Sequence, residues 1–508
     1  MKLNIILAII FIFNLQSFAQ SSLLDQKLQS IRSQYNLVGM SVTVTKGNNI
    51  IFSNGYGLRD LSRNLPVDDS TVYRIASISK MTTATALMIL YEQGLFNLDD
   101  DVSNYLGFTL RNPNFPNDVI TFRKLLSHTS SLRDGSGYSS FLTATYNNTP
   151  PPTLQSLLTV GGSYYTSDMF SSSKPPSENY FTYANINYGV LGTLVEKLSN
   201  KRFDIFCKEK IFQPLQITGS FNIQDIPNIN NVAVLYRRSG GSWVPQFDNY
   251  GGVKPSPRDL TGYVVGTNGV IFAPQGGLRI STNDLAKFML MIKNGGIYNG
   301  IRILNDSTVQ RMLNPSWIYN GSNGNNYYGI FNTYGFGCHR TVDLLPGETL
   351  YGHPGEAYGL ISDMYFSKLK DYGIIFVTNG GVWGYGNYSG WYNVEEDVYK
   401  ACKVFIDSLI VNVENENIIL DRFVLNQNYP NPFNPKTTIS FTLDKDGFTT
   451  LKIYDLFGRE VETIVQEYLK AGQLYKFEFD GSKLTSGIYF CKLQSKDKIM
   501  AKKITLIK

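Results

Sequence analysis

From Phe423 to the C-terminus the chain adopts a single period. Five short runs, TTISFTL (437 to 443), TLKIYDL (450 to 456), LYKFEF (474 to 479), GIYFCKL (487 to 493) and KKITLI (502 to 507), alternate apolar and polar residues, separated by the turns DKDG, FGRE, FDGS and QSKDK. Period two with closely spaced turns makes strands that each bury one face, so this end is expected to form a small all-β sandwich. Ahead of about residue 415 the patterns are mixed. VGMSVTVTKGNNIIFSNGYG (38 to 57) predicts a hairpin around KGNN, and a helix is expected from Ser77 to Gln93 with Ala84, Leu87, Met88 and Tyr91 on one face. Residues 135 to 180, rich in Ser, Tyr, Pro and Asn, are expected to be long loops with short helices. A second helix is expected from Asn187 to Leu198, strands return between 300 and 380, including DYGIIFVTNGG (371 to 381), and Val394 to Leu409 reads as helix. Strands at both ends with helices between predict an α+β core whose sheet is assembled from distant segments.

The 508 residues exceed one ordinary domain, and 43% hydrophobic with 13% aromatic residues is enough for more than one core. A formal charge of +5 is spread without a basic block, so nucleic acid is not implied as a partner. Cys207, Cys338, Cys402 and Cys491 lie far apart and match neither a disulfide framework nor a zinc site. With His128, His339 and His353 the only histidines, a histidine-rich metal centre is not expected, a carboxylate-only metal site stays open, and no cofactor is implied.

MKLNIILAIIFIFNLQSFAQ opens with Lys2, an apolar run from Leu3 to Phe13 and a small-x-small site at Ser17 and Ala19. That reads as a secretory signal, expected to be cleaved after Ala19; the alternative, an uncleaved anchor, has a short apolar run for a bilayer core of ~30 Å. No later segment is apolar for long enough to span.

Within RIASISK (74 to 80), Ser77 precedes Lys80 by three residues at a helix start. A serine hydroxyl is a poor nucleophile until a base takes its proton, and a buried lysine one turn along has its pKa lowered enough to help. The helix start adds N–H groups that stabilise an oxyanion. Alone, the pattern reads more readily as a helix cap and a solvated lysine, since it recurs at Ser171/Lys174, Ser367/Lys370 and Ser495/Lys498. Two further elements tip the balance: YFTYANINYGVLG (180 to 192), with Tyr183 and Asn185 before the second helix, and YGHPGEAYG (351 to 359). No Gly-x-Ser-x-Gly elbow occurs, which removes the α/β-hydrolase reading.

The ordered stretches GYGLRDL, VYRIASISKMTTA, LYEQGLFNLDDDV, LLSHTSSL, YANINYGVLG, QGGLRISTNDLAKFM, YGFG and GHPGEAYG resemble the serine β-lactamase-like family of class C β-lactamases, D,D-peptidases, D-aminopeptidases and related esterases. The resemblance covers residues 24 to 410. It implies a β-lactamase/transpeptidase-like α/β sandwich around an antiparallel sheet, a helical domain, and an active site between them. It makes Ser77 the acylated nucleophile, Lys80 its hydrogen-bonded partner, Tyr183 a general base or acid with its phenolate favoured by nearby cations, and Asn185 the residue that orients Lys80 and the substrate amide. His353 would be catalytic, standing where many β-lactamases have the lysine of Lys-Thr-Gly. Gly355 and Glu356 would bind substrate, the oxyanion hole being the N–H groups of Ser77 and Glu356. Ser131 and Ser177 depart from glycine-containing turns of the family pattern, and His128 is expected to be structural, in a tight turn. For the Glu356 side chain two readings stay open, a solvated carboxylate or a partner for a substrate ammonium.

FVLNQNYPNPFNPKTTISFTL, LKIYDLFGREV, SGIYFCKL and KKITLIK resemble the C-terminal sorting domain of type IX secretion cargo, over residues 418 to 508. Pro430, Pro432 and Pro435 make the lead-in a rigid extended string rather than a strand. A generic Ig-like adhesion or carbohydrate-binding module is the alternative. The expected domains are therefore a signal peptide (1 to 19), a β-lactamase-like serine hydrolase (20 to 415) and an Ig-like β-sandwich for sorting (416 to 508). The expected function is that of an exported serine hydrolase forming an acyl-enzyme on a β-lactam, D-amino peptide or small ester, secreted or held at the cell surface by the type IX machinery. The alternative is a catalytically weak protein that binds penicillin or peptidoglycan peptides. Substrate choice depends on loops 135 to 180 and 240 to 275, which the sequence leaves undetermined.

Overall fold

The computed structural model describes residues 21 to 508 except 178, 388 to 389, 415 to 422 and 429. The expected signal peptide lies outside them. Contacts divide the chain into two compact units between Ile406 and Asp407. The division falls inside helix Asn393–Glu414, and the boundary expected near residue 415 lies just past that helix.

The first unit is built on a nine-stranded sheet. Its longer strands are β1 (Gly39–Lys46), β2 (Asn49–Asp60), β3 (His339–Thr341), β4 (Leu350–Ala357), β5 (Leu360–Ser367) and β6 (Tyr372–Thr378). They lie antiparallel in the order β3-β4-β5-β6-β1-β2, so the hairpin at the start of the chain closes against the strand near its end, with Met40 opposite Thr378. β5 and β6 are buried along their whole length, which requires cover on both faces. Helix Thr282–Lys293 covers one face, with Met289 against Gly373. Helix Asn393–Glu414 covers the other, where Tyr399 donates to the Ile374 carbonyl and Phe405 meets Phe52 edge to face.

The helical part centres on α1 (Ser79–Glu92) and α2 (Asn185–Ser199), which pack in one apolar core. The single apolar face expected for α1 is not what forms: every residue from Ser79 to Leu90 is buried. A helix enclosed on all sides needs no polar face. All three of its threonines are buried, Thr85 donating to the Met81 carbonyl and Thr83 to that of Pro274. The expected loop region contains a twelve-residue helix, Ser136–Asn147.

The second unit is two facing sheets, one of three strands and one of four, around a core that includes Phe441, Leu451, Phe479, Leu493 and Ile504. The proline string is tied in at Phe433, whose N–H donates to the Thr505 carbonyl and whose carbonyl accepts from Ile507.

Candidate active site

Ser77 sits in a single 3-10 turn, Ala76–Ile78, immediately before α1. Ala76 takes a left-handed φ of +48°, the bend that turns the chain from the Tyr73–Arg74 strand into the helix. One turn on, Lys80 is fully buried and its Nζ meets three oxygens: Ser77 Oγ at 2.9 Å, Asn185 Oδ1 at 2.9 Å and the Gln275 carbonyl at 2.8 Å. Burial pushes the Lys80 ammonium down to about 7, against an opposing pull from Asp134. Once Lys80 is neutral, the Asn185 and Gln275 oxygens, which only accept, take its two N–H groups. The remaining lone pair then faces the Ser77 hydroxyl.

Asn185 opens α2, and its geometry is set by Asp134, which the sequence did not single out. Asp134 Oδ2 accepts from both the backbone N–H and the Nδ2 of Asn185, each at 2.9 Å, and Oδ1 accepts from Ile186 N–H at 2.9 Å. The residue before the helix, Ala184, offers no side-chain cap, so Asp134 caps α2 from another loop. With Nδ2 committed to Asp134, Asn185 Oδ1 is left for Lys80.

Tyr183 is clamped by rings. It stacks on His128 at 4.3 Å and on Phe331 at 5.0 Å between centroids, and Tyr327 donates to its carbonyl at 3.0 Å. His128 Nδ1 accepts from Ala184 N–H and from Asn187 Nδ2, so this neutral imidazole holds its proton on Nε2. It stands at φ +57° in the SHTSSL turn, and Ser131 in the same turn at +65°. The phenolate expected at Tyr183 is corrected: burial raises its phenol far above the usual 10, and contact with Ser77 only partly offsets that. Lys80 lies over the ring face, 4.8 Å from its centroid, where a cation does little for the oxygen.

His353 is brought near but not into the cavity. It is fully buried, 6.1 Å from Tyr183 ring to ring, and both nitrogens are engaged. Nδ1 lies 2.6 Å from the Pro354 carbonyl, which only accepts, so Nδ1 carries the proton and Nε2 accepts from Tyr334 O–H at 2.8 Å. Burial holds its pKa well below 6.5, with Lys80 adding to the effect. His353 was expected to be catalytic, and with both nitrogens engaged direct proton transfer to substrate is closed to this ring as placed.

Gly355 and Glu356 line the same cavity as Ser77, Tyr183, Asn185 and Gln275, a space of about 420 Å³. A Cβ on Gly355 would fall 2.6 Å from the Ile75 carbonyl and 2.4 Å from Ser362 Oγ, so only glycine lets β4 lie this close to the Ser77 turn. Among the described residues no group of three His, Cys, Asp or Glu is placed to hold a metal ion, and no helix is long and apolar enough to cross a membrane.

Nothing in local spacing points to Asp134, the Gln275 carbonyl or Phe331, because each reaches the site from a distant part of the chain. Gln275 lies within a quoted family stretch, and that was the one available signal.

The chain is similar to known proteins at low identity. A protein named flp from Staphylococcus aureus is 25% identical over 228 residues, 44% of this chain and 43% of that protein. A penicillin-binding protein of Bacillus subtilis is 27% identical over 251 residues, 49% of this chain and 51% of that one. The chain thus spans about half the length of the curated relatives it matches. A D-amino acid amidase structure from Ochrobactrum anthropi, solved with L-phenylalanine amide, shares the fold with a TM-score of 0.56 at 18% identity, over 76% of this chain and 99% of that one. Residues 427–508 match the secretion system C-terminal sorting domain, which marks proteins for type IX secretion to the cell surface or outside. Residues 24–396 match the Beta-lactamase family, a group of serine hydrolases and penicillin-binding proteins, and with that match over most of its length the chain belongs to the beta-lactamase family.

Proposed function

We propose that the chain is an exported serine hydrolase that cleaves an amide or ester through an acyl-enzyme. The observation that carries this reading is the placement of Lys80: buried, close to neutrality at physiological pH, and hydrogen bonded to Ser77 while Asn185 and Gln275 occupy its other positions. Neutral Lys80 takes the Ser77 proton as Oγ bonds to the substrate carbonyl carbon. The oxyanion is held by the N–H groups of Ser77 and Glu356, and Gly355 provides the close approach that brings the second one near. As the bond to the leaving group breaks, the neutral Tyr183 phenol gives it a proton and is reprotonated from Lys80. Water then attacks the ester, its proton returns through the same pair, and Ser77 leaves as the free hydroxyl. His353 acts as a positioning residue, bracing β4 through Tyr334.

In this reading residues 20 to 415 carry the catalysis, residues 416 to 508 engage the type IX machinery, and residues 1 to 19 are a signal peptide. Release of p-nitrophenol from p-nitrophenyl acetate tests it. Wild-type protein should turn the ester over and Ser77→Ala should be at least about a thousandfold slower; equal rates would remove Ser77 from the chemistry.

A further inference from the structure

The sorting unit carries a surface that catalysis does not use. Its larger sheet is made of β7 (Gly447–Tyr454), β8 (Glu460–Leu469), β9 (Gly487–Ser495) and β10 (Lys498–Leu506), antiparallel in the order β8-β7-β9-β10. Successive side chains alternate between its faces. Leu451, Ile453, Cys491, Leu493 and Ile504 are buried in the core of the unit. The opposite face is solvated, and such a face is ordinarily polar. This one carries large rings: Phe448, 56% exposed, stands opposite Tyr468, 63% exposed, and Phe490, 39% exposed, stands opposite Tyr454.

The same face is basic. Lys452 and Lys492 are direct cross-strand neighbours, and like charges so placed repel. Glu460 relieves Lys452 at 2.8 Å, but Lys492 has only the Tyr454 ring, 5.9 Å away. Lys503 stands opposite Phe490, and Lys496 directly follows β9. Lys436, Lys452, Lys470 and Lys498 make the lysine ion pairs of this unit. Among the described residues, Lys492, Lys496 and Lys503 make none. Between the central strands the face is hollow, a space of about 420 Å³ bordered by Phe448, Lys452, Tyr454, Lys492 and Lys496.

Exposed aromatic side chains gathered on one face mark an interaction surface. The lysines fix the sign of the partner, because covering them without opposite charge would cost their hydration and return nothing. The hollow selects a protruding side chain over a flat bilayer. An aspartate or glutamate entering it meets Lys492 and Lys496, and apolar neighbours of that acid meet Phe448 and Phe490. We infer that the outer face of β7, β9 and β10 is the surface by which this chain docks on the type IX machinery, and that the machinery offers it an acidic patch with apolar residues. This rests on the sorting role of residues 427–508 and adds to it the face, the residues and the charge of the contact.

Export of the full-length chain from a bacterium with a working type IX system tests the docking. Cells producing wild type, Lys492→Glu with Lys496→Glu, or Phe490→Ser are fractionated, and protein outside the outer membrane is compared with protein in the periplasm. Each face variant should be exported about fivefold less than wild type or worse, while Lys476→Glu, exposed on the three-stranded sheet, should stay within about twofold. Wild-type export of the face variants, or an equal fall for Lys476→Glu, overturns the docking face. Thermal melts of the purified variants separate docking from folding. If the glutamate pair melts well below wild type, Lys492→Gln with Lys496→Gln, which removes charge without reversing it, decides in its place. In a strain lacking the machinery wild type should remain in the periplasm; wild type that still leaves the cell strikes the sorting role itself. Purified full-length protein is also sedimented with phosphatidylglycerol vesicles. No binding is expected, and binding that the glutamate pair abolishes would give the face to a lipid surface and overturn the docking.

Discussion

Lys80 Nζ lies 2.9 Å from Ser77 Oγ with no water-exposed surface of its own, and both of its other hydrogen bonds go to oxygens that can only accept. The three oxygens suit either protonation state, burial is what favours the neutral amine, and its charge is the variable that pH controls. Because burial lowers its pKa to about 7, the active neutral form grows as pH rises through that value. The kcat/KM for an ester should climb from pH 6 to 8 and then level off. Lys80→Met should lose about 100-fold or more, together with this limb. A flat profile in the wild type contradicts the assignment.

The same burial has a stability consequence. Below about pH 7 the folded chain carries a buried ammonium, while between 7 and the usual 10.5 only the unfolded chain holds the extra proton. Lys80 thus destabilises the fold most at low pH, and the penalty fades as pH rises. Thermal melts should find Lys80→Met more stable than wild type at pH 6, with the gap narrowing towards pH 10. A gap that widens with pH reverses the sign and rejects the lowered pKa.

Asp134 holds Asn185 in orientation and its charge raises Lys80. Asp134→Asn should move the acid limb of the rate profile to lower pH and weaken the α2 cap by about 1 kcal/mol. An acid limb that stays in place, with only a stability loss, would reduce Asp134 to a cap.

Tyr183→Phe keeps the ring between His128 and Phe331 and removes only the hydroxyl. Since p-nitrophenolate leaves without a proton and an amine does not, the loss in kcat/KM, which reports acylation, should be about 100-fold on an anilide or amide and much smaller on p-nitrophenyl acetate. Equal losses on both would assign the hydroxyl to an earlier step.

At Gly355 an added methyl meets the Ile75 carbonyl at 2.6 Å. Gly355→Ala should push β4 away from Ser77, lowering kcat on every substrate while the protein still folds, as judged by far-ultraviolet circular dichroism. Unimpaired kcat would show that the close approach is not needed.

Much of the site was legible because its chemistry is local: Ser77 and Lys80 share one helical turn, and Tyr183 and Asn185 one loop. The period-two runs after Phe423 and the apolar run at 371 to 381 were legible for the same reason. Long-range partners were not. Asp134 lies 51 residues from Asn185, in a loop whose local pattern gives no hint of that contact. His353 could be located but not oriented, since only the fold shows that Tyr334 and Pro354 take both nitrogens. The full burial of α1 was hidden by Thr82, Thr83 and Thr85, which look like a polar face until the fold buries all three and the Thr83 and Thr85 hydroxyls find backbone carbonyls.

The most direct measurement is the intact mass of the full-length protein quenched seconds after mixing with p-nitrophenyl acetate and, separately, with penicillin, beside Ser77→Ala. An acetyl or penicilloyl adduct that forms on the wild type, maps to Ser77 and is absent from the variant is the predicted result. Turnover that persists in Ser77→Ala, or wild-type protein that neither gains mass nor releases product, would contradict the acyl-enzyme.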